Sequence, residues 1–114
     1  MSHTKEFPDF GPLPPEVQTL VDSGKLVDTS WRQDVCPSFV RAEHRRAFEN
    51  DEPCVRFWVD YADPKKRELS EEGVKRYGVT QSPEYQSTLN TDDVHVALEH
   101  LFQWPNNGWD LPET

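Results

Sequence analysis

The sequence is poor in several residue types, and each shortage excludes a class of protein. Its two cysteines, Cys36 and Cys54, are too few for a disulfide framework. Its five glycines are scattered, so no glycine-rich phosphate loop is present. No apolar run approaches the roughly 18 residues of a membrane span, and the first residues lack the pattern of a signal peptide. We therefore expect a cytoplasmic protein with reduced thiols and no membrane partner.

Basic residues are the minority among the charged ones. The chain has 12 Lys and Arg against 21 Asp and Glu, which gives a net charge of −9. Binding to phosphates relies on Lys and Arg, so we expect no nucleic-acid partner. The acidic balance is compatible with a basic protein as partner.

Aliphatic core formers are scarce, because Ile is absent and Leu, Val and Phe together make up about a fifth of the chain. That share lies close to the roughly 20 % below which charged chains stay disordered. Six Phe, four Trp and three Tyr compensate, since each aromatic side chain buries a large area. The 114 residues therefore suit one domain with a modest, largely aromatic core.

The stretch 54–61, Cys-Val-Arg-Phe-Trp-Val-Asp-Tyr, predicts the central strand. Apolar residues occupy every second position from Val55 to Tyr61, and Arg56 lies between them, which is the period of a strand with one buried face. Trp58 falls on the charged side. A second layer or a partner must therefore cover part of that face as well.

Two amphipathic helices and further strands complete the predicted fold. Apolar positions 17, 20 and 21 predict a short helix after the prolines at 14 and 15, and the stripe within 94–102 predicts a C-terminal helix over about 92–103. Residues 74–80 and 85–89 read as strands, whereas 40–50 fit either a helix or the first arm of a hairpin. Strands followed by a helix indicate an α+β fold with an antiparallel sheet of three or four strands.

The chain divides into three parts on composition. Residues 1–13 form an extended Pro-rich arm whose phenylalanines hold it onto the domain. Residues 14–104 form the single α+β domain. Residues 105–114 form a tail rich in Trp and Pro that packs back on the domain.

The irregular stretch 29–39 is the first candidate site. It brings Trp31, Asp34 and Phe39 into a segment without helical or strand period. Functional residues lie in irregular segments more often than the length of those segments alone would suggest. Trp58 and Trp109 complete the candidate binding surface, because Trp is enriched at binding hot spots. The alternative is a well-packed loop and tail whose aromatic side chains fill the core.

No catalytic or metal-binding constellation stands out. Cys36 is a candidate nucleophile with His44 or His95 as base, but the sequence places neither histidine beside it, and free cysteines are usually buried. His95 and Glu99 lie four residues apart on a predicted helix without matching a metal-binding motif. We therefore predict no cofactor, no metal site and no catalytic residue.

Three functions stay open at this point. The leading prediction is a small cytoplasmic, non-catalytic protein-interaction or accessory module. The second is an acidic antagonist or immunity-type inhibitor of a basic protein. The third is a small thiol-dependent enzyme that uses Cys36. The sequence does not identify the partner or the oligomeric state.

Overall fold

The computed structural model describes residues 3–34, 36–63, 65, 75–82 and 86–103. Their centre is one antiparallel sheet in which five strands follow each other in chain order. The strands are β1 (Leu26–Asp28), β2 (Ser38–Arg41), β3 (Cys54–Val59), β4 (Tyr77–Ser82) and β5 (Gln86–Thr91). The predicted α+β fold is confirmed. The sheet has five strands rather than the three or four predicted. The additional strand is β1, which follows the first predicted helix and pairs with β2.

The middle strand β3 has the alternation that the sequence predicts. Val55, Phe57 and Val59 are fully buried on one face of the sheet. Phe57 lies opposite Phe39 on β2 and Val79 on β4, so the three strands bury their apolar side chains on the same face. Each such side chain contributes roughly 1.5–3 kcal/mol of hydrophobic stabilisation.

Helices cover both faces of this sheet. They are α1 (His3–Glu6), α2 (Pro15–Asp22), α3 (Arg45–Glu49) and α4 (Val94–Gln103), and a 3-10 turn (Ala42–His44) precedes α3. The apolar face packs against α2 and α4, where Val17, Ala97 and Leu101 are fully buried. Within the described residues, every helix is too short or too polar to cross a membrane.

The N-terminal arm is helical at its start, so the prediction of an arm extended throughout is wrong there. The first proline is Pro8, and the residues before it keep the amide protons that a helical turn needs. Phe7 N–H donates to His3 O (2.8 Å) and closes the turn. Phe7 and Phe10 are buried, which confirms that the arm packs onto the domain. The domain division stays a prediction, and its tail lies outside the described residues.

Residues 40–50 combine the two alternatives that the sequence leaves open. Val40 and Arg41 end β2, and the chain then enters the 3-10 turn and α3. The ring of Phe48 on α3 lies over the second face of the sheet, 4.9 Å from the Arg56 guanidinium carbon. This confirms that a second layer covers part of the face that carries Trp58.

A Schellman motif at Gly24 ends α2. Gly24 N–H donates to Val21 O (3.1 Å), and Lys25 N–H donates to Leu20 O (2.9 Å). The motif requires a left-handed backbone at its fifth position, and Gly24 has a φ of +81°. Glycine adopts this conformation without the clash of a Cβ. The motif directs the chain from α2 straight into β1.

Gly24→Ala should lower the free energy of unfolding by about 1–2 kcal/mol, because a left-handed backbone costs that much for a residue with a Cβ. Among the described residues other than Gly24 and its chain neighbours, no atom lies within 4 Å of the position that the Cβ would take, so the loss is conformational rather than steric. Thr19→Ala, at an exposed position of α2, is the control and should be neutral or slightly stabilising. Urea denaturation compares the three proteins. Equal stability of Gly24→Ala and the parent would contradict the motif.

Tyr61, which follows β3, connects the arm to the sheet. Its hydroxyl donates to Asp9 Oδ1 (3.0 Å), and its ring centroid lies 5.1 Å from that of Phe10. Burial, and then the hydrogen bond to Asp9, raises the pKa of Tyr61 to about 12. The folded state therefore favours the neutral phenol over the phenolate.

This shift predicts an alkaline loss of stability that Tyr61→Phe removes. The folded pKa of about 12 lies above the unfolded value of about 10, so the stabilisation is complete below pH of about 10 and is lost as the pH rises towards about 12. Urea denaturation across this range should give a flatter profile for the variant. The absorbance titration of the phenolates should lose its most alkaline step. If the titration step that Tyr61→Phe removes has instead the pKa of an ordinary tyrosine, the contact with Asp9 does not form.

Candidate interaction site around Arg56

Arg56 projects from the middle strand onto the face opposite the apolar core, together with Cys54 and Trp58. The alternation in the sequence places it on the charged side of the strand, and in the structure the residue is only 4 % exposed. A guanidinium loses several kcal/mol of hydration free energy when it is buried. The environment of this side chain must therefore supply the lost interactions.

Polar partners from the described part of the chain surround the guanidinium. Arg56 Nε donates to Ser38 Oγ (3.0 Å), and Nη2 donates to Thr29 O (3.3 Å) and to Asp34 Oδ2 (3.1 Å). The hydroxyls of Thr29 and Ser38 are in turn 3.0 Å apart. The carboxylate provides the opposite charge, and the neutral oxygens complete a hydrogen-bond network.

Two aromatic rings flank the same guanidinium. Its central carbon lies 4.4 Å from the ring centroid of Trp58 and 4.9 Å from that of Phe48, within the range of cation–π attraction. Trp58 Nε1 donates to Thr80 Oγ1 (2.9 Å), which fixes the indole ring on the sheet. We call the whole group the Arg56 cluster, and its members are Thr29, Asp34, Ser38, Phe48, Arg56 and Trp58.

A tight turn presents Trp31 beside this cluster. Asp34 N–H donates to Trp31 O (2.9 Å), so residues 31–34 form a four-residue turn whose last member binds Arg56. Arg32 N–H donates to Glu6 Oε1 (3.2 Å) and connects the turn to α1. The Trp31 side chain nevertheless remains 42 % exposed. The turn therefore holds a large apolar side chain in water on a fixed backbone.

A pocket of about 320 Å³ lies next to the cluster, between β1 and α3. It shares Thr29 and Phe48 with the Arg56 cluster. Its other lining residues are Val27, Asp28, Arg45 and Glu49. Apolar walls with charges of both signs at the rim suit a side chain of a partner protein.

The structure brings together three of the five residues that the sequence predicts for a binding surface. Asp34 and Trp58 both contact Arg56, and Trp31 begins the turn that Asp34 ends. Phe39 is a correction, because it is fully buried in β2 and cannot touch a partner. It lies on strand rather than loop, and its side chain points into the core opposite Phe57. Trp109 lies outside the described residues.

Sequence reasoning missed Arg56, Phe48 and Ser38. The nearest signal was Trp58, an apolar residue on the same face of the strand as Arg56, which indicated that part of this face is covered. The polar partners of Arg56 precede it by 18 to 27 positions, so no local pattern reveals them.

None of the residues considered for catalysis and metal binding is a member of this cluster. Cys36 is buried, with 2 % of the residue exposed, so its thiol is closed to a substrate in this structure. His95 lies on α4, where its Nε2 is 3.4 Å from Glu16 Oε2 on α2. Burial, and then the charge of Arg41, lowers the pKa of His44. Among the described residues, no group of three or more His, Cys, Asp or Glu is placed to hold a metal ion.

Comparisons with known proteins give no relative for this chain. No protein-family model matches it, no curated protein is similar to it, and no solved structure has a similar fold at a significant level. The candidate site therefore stands on its geometry.

Arg56→Lys should lower the free energy of unfolding by about 3 kcal/mol, because lysine keeps the charge but cannot reproduce the planar fork of hydrogen bonds or the stacking on two rings. Arg45→Lys is the matched control. Arg45 pairs with Glu49 at 3.4 Å on the surface, with both side chains more than half exposed, so its replacement should change stability by less than about 0.5 kcal/mol. Urea denaturation measures both. Equal effects of the two variants would show that the Arg56 network contributes nothing special.

Proposed function

We infer that this protein is a small non-catalytic interaction module that binds a partner protein through Trp31 and the adjoining Arg56 cluster. The observation that carries this proposal is the exposure of Trp31. A Trp that is 42 % exposed leaves apolar surface in water, and the burial of that surface by a partner is favourable. Trp is also among the residues most enriched at binding hot spots.

The support beneath Trp31 favours a binding role over an incidental exposure. The turn is held at one end by Asp34 on Arg56 and in its middle by Arg32 on Glu6. An ordered backbone reduces the conformational entropy that is lost when a partner binds. The pocket beside Phe48 offers a second point of contact next to the cluster. A protruding ring and an adjacent hollow together provide shape for specific recognition.

A second candidate function is an acidic antagonist of a basic protein, and the placement of the arginines favours it. Arg41 and Arg56 are buried, with side chains 10 % and 5 % exposed, and they pair with Glu43 and Asp34. The hydrogen bond from Arg41 lowers the pKa of Glu43. Two of the 12 basic side chains are thus withdrawn from the surface of a chain whose net charge is −9. A thiol-dependent enzyme using Cys36 stays a third prediction, which the burial of Cys36 does not support.

Trp31→Ala should strongly reduce capture of the partner from a lysate of the source cells. Loss of a hot-spot Trp weakens binding by about 2 kcal/mol or more, roughly 30-fold. Val96→Ala is the control, because Val96 is another large hydrophobic residue with high exposure, 45 %, and it lies on α4 away from the cluster. The tagged parent and both variants are compared, and captured proteins are quantified by mass spectrometry. A protein captured equally by parent and Trp31→Ala would contradict the proposed surface.

Repeating the capture at low and high salt separates the two candidate functions. A partner that survives high salt and depends on Trp31 supports the interaction module, because apolar contacts persist when charges are screened. A partner that is lost at high salt and is insensitive to Trp31→Ala supports the acidic antagonist.

A further inference from the structure

We propose that residues 104–114 dock back onto their own domain and seat Trp109 in a groove between β5 and α4. The groove has a volume of about 230 Å³ and is lined by Leu89, Val96, Glu99, His100 and Gln103. It lies apart from the Arg56 cluster, so the proposal does not depend on the proposed function.

The α4 side of the groove is one continuous strip. Its four lining residues stand at i, i+3, i+4 and i+7, which places them along a single helix face. Val96 at the start of this strip is 45 % exposed and faces the groove with Leu89, which is half-buried on the last strand of the sheet. Covering these two side chains would remove apolar surface from water.

The size and polarity of the groove suit one indole ring. Its volume is below the roughly 300 Å³ at which small-molecule pockets begin, so a single side chain fits better than a ligand. Leu89 and Val96 provide apolar walls. A buried indole also needs an acceptor for its N–H. Glu99 Oε1 accepts one hydrogen bond from Gln103 Nε2 (3.2 Å), and the carboxylate has further acceptor positions.

The tail begins at the groove and is long enough to return to it. Gln103 ends α4 and is itself a lining residue. Val96 lies seven residues earlier, about 10 Å along the helix axis. The six residues from Gln103 to Trp109 span up to about 20 Å when extended. Asn107-Gly108, just before Trp109, is typical of tight turns that reverse the chain.

Fluorine NMR on the full chain labelled with fluorotryptophan tests this placement. The four Trp signals are assigned with single Trp→Phe variants, and a soluble gadolinium chelate broadens the signals of exposed rings. We expect Trp109 to keep its intensity while Trp31 loses it. In Val96→Asp, which puts a carboxylate into the apolar wall at an exposed position, Trp109 should broaden as strongly as Trp31. Thr19→Asp makes a similar charge change on α2 and should leave Trp109 protected.

Three results would overturn the proposal. The first is a Trp109 signal that broadens like that of Trp31 in the parent. The second is protection of Trp109 that survives Val96→Asp, since the ring would then lie elsewhere. The third is protection that disappears on dilution, because the ring would then occupy the groove of a second copy.

Discussion

A guanidinium cannot be withdrawn from water without partners, and much of this fold is arranged around that requirement at Arg56. The side chain is 5 % exposed in the middle strand, and several of its partners come from outside that strand, from the segment before β2, from β2 and from α3. The pairing of β2 with β3 places these partners beside Arg56. An arrangement that leaves the buried charge unpaired costs several kcal/mol. Correct pairing of the strands and correct placement of the 29–34 segment therefore stabilise each other.

A second buried arginine has the equivalent role on the opposite face. Arg41 Nη1 donates to Leu101 O (3.3 Å), and the guanidinium carbon lies 5.6 Å from the ring centroid of Phe102. Leu101 belongs to the last turn of α4, where the helix dipole favours a positive charge. Within the described residues, each face of the sheet thus has a buried arginine that binds the element covering it. In a chain with few aliphatic residues, these polar attachments supplement a small apolar core.

The sequence predicts the elements whose signal is local and misses the features that depend on distant residues. Periodicity identifies β3, α2 and α4, because their burial patterns repeat within a few residues. It does not establish β1, whose three residues are too few for a pattern and whose strand character comes from pairing with β2. The same limit applies to Arg56 and Phe39. An alternating pattern suggests that a charged residue such as Arg56 is exposed, and an irregular pattern suggests that an aromatic residue such as Phe39 lies in a loop. Only the non-local partners show that both are buried in strands.

The residues of the candidate site fall into two groups, those that hold the 31–34 turn in place and the exposed Trp31. Asp34 and Arg56 hold the 31–34 turn in place, so a change in either disturbs the fold and the presentation of Trp31 together. Trp31 itself is 42 % exposed, and within the described part of the chain its indole Nε1 makes one long hydrogen bond, 3.4 Å to Gln33 Oε1. Its removal therefore leaves the Arg56 network intact. A binding surface built on a rigid core requires a contact residue that is dispensable for stability, held by supporting residues that are not. A side chain that is exposed merely because the core lacks room would need no such support.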